Sequence, residues 1–153
     1  MFWERRESCC IDPMQDQTEK QIAHLAMIQA VISRMASNSF ALKTFSVTLA
    51  AGMVALVGAV PKPSLLYVLA AIVAVAVFGW MDARYLQLET LYRGLYEDVR
   101  LGREVSPFDM SIDRYQPTAE PLPRIALSWS VNAIYSTLVA ALVIVAVGVW
   151  RAS

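Results

Sequence analysis

Three runs of this sequence carry no charge and are each about as long as a bilayer is thick. They cover about Thr44 to Val60 (TFSVTLAAGMVALVGAV), Leu65 to Met81 (LLYVLAAIVAVAVFGWM) and Val131 to Trp150 (VNAIYSTLVAALVIVAVGVW). A helix needs roughly 17 to 25 mainly apolar residues to cross a bilayer, and each run meets that length. Of the 153 residues 57% are apolar and 17% charged, against roughly 25% charged in an average soluble domain. The expected class is therefore all-α: an integral membrane protein with three transmembrane helices. The 13 basic and 13 acidic residues cancel, so no bulk basic field points to nucleic acid, and none is expected as a partner.

Only Pro61-Lys62-Pro63-Ser64 separates the first two runs, room for a tight turn and nothing more. Spans 44–60 and 65–81 should form an antiparallel hairpin. Tyr67, Trp80, Trp129 and Trp150 fall near span ends, where amphipathic rings favour the headgroup level. Eleven of the 13 Lys and Arg residues lie before the first span or between the second and third, leaving Lys62 and Arg151 on the other side. The positive-inside rule then sets the N-terminus and the long second loop in the cytoplasm and the C-terminus outside.

Both hairpin spans should run on as helix. From Thr18 to Ala41 there is no Gly or Pro, and Ile22, Leu25, Ile28, Ile32 and Met35 recur at spacings of three and four. Beyond Asp82, Tyr85, Leu88, Tyr92, Leu95 and Val99 follow a 3, 4, 3, 4 pattern that is expected to stop at Gly102. Glu89 and Arg93 sit four apart and can pair, while Gln87 falls on the solvated side. The two extensions form a long antiparallel cytoplasmic stalk. Two helices alone bury little core, so the ten stripe residues are expected to form an interface within the stalk or between copies in a homo-oligomer. The organisation is a flexible tail over 1–17, a helical hairpin with its stalk over 18–103, a proline-rich cytoplasmic loop over 104–124, and the third span with the C-terminus over 125–153. The loop reads first as a linker back to the membrane. Phe108, Met110, Ile112 and Tyr115 nevertheless supply enough apolar material to dock on the stalk.

Chemistry-bearing residues are few. Adjacent Cys9 and Cys10 have only His24 as a distant companion, which does not make a metal site. Asp82, Glu89, Glu97 and Asp98 would be the solvated face of a helix rather than a catalytic set. No phosphate loop or nucleophile motif is present, so neither enzymatic activity nor a cofactor is expected. In the spans, Ser46, Thr48, Gly52, Asn132 and Ser136 could line a weakly polar pore or serve packing; the Ala51, Ala55, Ala59 repeat, with Gly52 and Gly58, favours close helix contact. Arg93, Asp109, Asp113 and Arg114 are the candidates for contact with a partner or signal.

With this hairpin, its helical extensions and the run WMDARYLQLETLYRGLYEDVR from Trp80 to Arg100, the chain resembles the SLATT-like small bacterial membrane proteins. The resemblance implies an effector associated with antiphage and nucleotide-signalling systems. Such an effector is held silent until a cytoplasmic protein or nucleotide messenger engages it, and it then perturbs the membrane. The alternative expectation is an anchor that recruits a soluble enzyme complex to the bilayer.

Overall fold

The computed structural model describes residues 13–152, so Cys9 and Cys10 lie outside the described residues. Four α-helices carry the fold: α1 Pro13–Ala59, α2 Leu65–Arg100, the short α3 Leu122–Ala126 and α4 Trp129–Ala152. Among the described residues there is no strand. Three of these helices are long and apolar enough to cross a membrane, and the architecture is the all-α hairpin plus third helix that the apolar runs require. Helix α1 starts at Pro13, inside the segment expected to be a flexible tail. Proline suits a first helical position because its missing N–H has no partner there anyway; Asp16 then complements the first turn, and Thr18 Oγ1 donates to the Met14 carbonyl at 2.9 Å.

The 47 residues of α1 and 36 of α2 correspond to about 70 and 54 Å of helix. At their joint, the Ser64 hydroxyl caps α2 by accepting from the Leu66 N–H at 3.3 Å. From that turn the two helices keep one antiparallel register along their length, pairing Lys43 and Ser39 with Asp82 and, far below, Gln21 with Val99. Helix α2 closes with Gly102 at φ 65, where the Gly102 N–H reaches the Val99 carbonyl and the Arg103 N–H that of Asp98. This is a Schellman termination, the role expected for Gly102.

Two apolar cores result. In the span region Ala50 of α1, Ala71 and Val75 of α2, and Val131, Tyr135 and Leu142 of α4 are buried together. The alanine repeat of α1 is not part of it: Ala51, Ala55 and Ala59 are exposed, and nothing lies within 4 Å of a Cβ placed at Gly52 or Gly58. In the stalk, Ile28 and Ile32 meet Leu95 and Val99, and Val105, Met110, Ile112 and Tyr115 cover them from the loop. The loop is thus a docked third layer rather than a plain linker. It supplies from within the chain the burial that two helices lack.

Candidate functional site

The feature that composition and periodicity hid lies where the stalk meets the spans. Asp82 is fully buried. Its Oδ2 lies 2.6 Å from Lys43 Nζ, and its Oδ1 accepts from Ser39 Oγ at 2.5 Å. Lys43 also donates to Ser39 Oγ at 2.8 Å, closing a three-membered polar ring between α1 and α2. The third helix closes the cluster: the buried Tyr135 hydroxyl of α4 sits beside Asp82 and Ser46. Its ring packs on Gly79, one turn from Asp82, where a Cβ would stand 3.1 Å from Tyr135 Cγ. A side chain there would require the Tyr135 ring to give by a few tenths of an ångström.

Taking two charges out of water costs several kcal/mol per ion, which their attraction recovers only with good geometry and full hydrogen bonding. Here the carboxylate has Lys43 and Ser39 as partners, and the buried Tyr135 hydroxyl lies against them. A buried polar cluster is costly to leave partly paired, so its geometry ties the three helices to one arrangement. Asp82 was expected on the solvated face; its burial is a correction, and its cause is α1, whose Lys43 and Ser39 meet it, with Tyr135 of α4 alongside. A sequence signal was available. Lys43 stands 18 residues before Pro61 and Asp82 stands 18 after Ser64, so the expected hairpin already sets the two opposite charges at one depth.

A second polar arrangement sits at the foot of the stalk. His24 is buried, its Nε2 is 2.9 Å from the Asp109 carbonyl, and its ring faces Phe108 at 6.0 Å. Phe108 has φ 62, rare for a bulky residue, in a turn closed by Asp109 N–H to Ser106 O at 3.0 Å. Tyr115 donates to Asp98 Oδ2 at 2.7 Å, and Arg103 binds Asp98 Oδ1 at 2.7 Å. The Tyr115 hydrogen bond, with Arg103 and Arg114 nearby, holds the Asp98 carboxyl below its ordinary range, while burial and then Asp98 itself push the Tyr115 phenol up.

Of the expected interface residues, Ile28, Ile32, Leu95 and Val99 form the stalk core, with Leu25 and Tyr92 against it. Met35, Tyr85 and Leu88 are half-buried. Ile22 is 61% exposed and takes no part in the core; Gln21 and His24 hold the inward positions of that turn. Of the pore or packing candidates only Ser46 is inside. Thr48, Gly52, Asn132 and Ser136 face outward, and the Thr48 and Ser136 hydroxyls are taken up by carbonyls of their own helices. These residues line no common path within one chain. Arg93 pairs with Glu89 at 2.6 Å, away from the loop, whereas Asp109, Asp113 and Arg114 share it: Ser111 links the two acids, and Arg114 donates to the Glu104 carbonyl at 3.3 Å. Gln87 is not idle surface, because it donates to the Glu120 carbonyl at 2.8 Å and so fastens the return of the loop. Among the described residues no three His, Cys, Asp or Glu side chains are grouped to hold a metal ion.

No family model, curated protein or solved structure matches the chain.

Proposed function

We propose that the chain is a bacterial inner-membrane effector, gated through its cytoplasmic stalk, whose spans are held in a silent packing by the Lys43–Asp82 junction. The observation that carries this reading is the fully buried Asp82, paired with Lys43 and faced by the buried Tyr135 hydroxyl. An anchor with no moving part would be served as well by apolar side chains there, since such replacements are often neutral or stabilising. The basic residues flanking the stalk orient it toward the cytoplasm. A protein or nucleotide messenger on the stalk would bias the junction, and the spans would then perturb or permeabilise the bilayer in a defence or signalling response. Self-association would use surfaces that the intrachain core leaves open, namely the small-residue face of α1 at Ala51, Ala55 and Ala59 and the exposed Ile22.

The test is inducible expression with a membrane-potential dye. Asp82→Asn and Lys43→Met should insert normally and depolarise cells more than wild type, while Lys43→Met/Asp82→Leu should be silent. Variants that all insert and all leave potential and growth unchanged would sink the effector reading.

The second reading, an anchor for a soluble cytoplasmic complex, is favoured by the docked loop, which presents Asp109, Asp113 and Arg114 on a fixed frame. It predicts co-purification of a partner that is lost in Tyr115→Ala, with no change in potential.

A further inference from the structure

At the opposite end of the bundle from the stalk, the turn between α1 and α2 borders a groove of about 310 Å³. Its floor is apolar, with Met53, Leu56 and Val57 of α1; its rim carries Lys62, Ser64 and Tyr67. Every acidic residue of the chain lies at Glu19 or before, or at Asp82 or beyond, and Asp82 is 18 residues along α2 from Ser64, about 27 Å of helix. Lys62 is exposed and, among the described residues, in no ion pair. A groove with an apolar floor and a cationic rim, at the end of two membrane-length helices, matches one kind of molecule.

We propose that this groove is a binding site for an anionic phospholipid of the surrounding leaflet. Lys62 holds the phosphate, and an acyl chain lies along Met53, Leu56 and Val57. The proposal rests on the reading that the helices cross a bilayer, and its test separates the two. The full chain, purified in detergent, is mixed with phosphatidylglycerol or with phosphatidylcholine, and retained lipid is counted by native mass spectrometry. Wild type should retain the anionic lipid about fivefold better, the preference expected of one basic residue near an anionic surface. Lys62→Gln should lose that preference and Lys62→Arg keep it. Arg151→Gln, at the same end but off the groove, should leave it unchanged, and Val57→Trp should lower retention of both lipids by filling the floor. Equal retention of the two lipids by wild type, an undiminished preference in Lys62→Gln, or an equal loss in Arg151→Gln would overturn the site. Release of the wild-type chain from cell membranes by alkaline carbonate would overturn the membrane reading itself.

Discussion

At the scale of single residues, the junction behaves as a coupled pair rather than as two contributions. The Lys43 side chain is 17% exposed and the Asp82 side chain not at all, so removing the lysine strands a carboxylate in an apolar setting. Lys43→Met should cost about 3 kcal/mol, the low end for breaking a buried pair, because the lysine keeps some contact with its surroundings outside the chain. Lys43→Met/Asp82→Leu should return to within about 1 kcal/mol of wild type, since the desolvation cost disappears with both charges. Reversible unfolding in detergent micelles, followed by circular dichroism, checks both values; a double variant as unstable as the single one would contradict the pairing. Gly79 acts through shape alone. Its missing Cβ makes room for the buried Tyr135 ring, and Gly79→Val should destabilise by about 2 kcal/mol through overpacking, outweighing the helix propensity gained over glycine.

At the scale of elements, the loop is held to α2 by chemistry with a defined pH window. Asp98 ordinarily titrates near 3.8 and is held lower in the folded chain by the Tyr115 hydrogen bond, so its contribution is complete above the ordinary value and lost as pH falls through the lowered one. Tyr115 ordinarily titrates near 10.0 and is raised by burial, so its contribution is complete below that value and lost as pH climbs through the raised one. The loop should therefore resist proteolysis between about pH 5 and pH 9 and become cleavable near Pro107 at either extreme. Tyr115→Phe should become susceptible at neutral pH as well. Loss of the acid limb alone in Tyr115→Phe, with wild-type resistance at neutral pH, would assign the docking to apolar contacts instead. The helices were legible in the sequence because length, charge exclusion and the Pro61–Ser64 turn act locally. Gly102 was legible as a terminator for the same reason. Burial of Asp82, the outward turn of the small-residue face and the docking of the loop depend on where α4 and residues 105–115 pack, which no periodicity within α1 or α2 encodes. The contacts of His24 were not legible, because an isolated histidine in a helix gains meaning only once Asp109 and Phe108 are folded against it.

At the scale of the whole molecule, α1 and α2 each run without interruption from the stalk into the spans, so the foot of the stalk and the Lys43–Asp82 junction are joined by two unbroken helices in one register. A change that parts the helices at the foot cannot be absorbed by a hinge before the junction, because neither helix has a proline or a break between them. Leu95 is the most sensitive point: it is 1% exposed and meets Ile28 and Ile32 beneath the loop. An acid there must either bury an unpaired charge or force the helices apart, at several kcal/mol. Leu95→Glu should still insert, since the spans are untouched, but should unseat the loop and, under the effector proposal, raise membrane conductance through the loosened junction. Ile22→Glu separates the other surface. Ile22 is exposed within the chain, so the substitution should leave the fold and loop protection at wild-type levels and disturb only contacts between copies. Crosslinking in membranes, loop proteolysis and the potential dye, applied to both variants, read the three properties independently. A Leu95→Glu protein with an unprotected loop and unchanged potential would show that the stalk does not gate the spans. An Ile22→Glu protein that kept wild-type crosslinks would move any self-association to the small-residue face of α1.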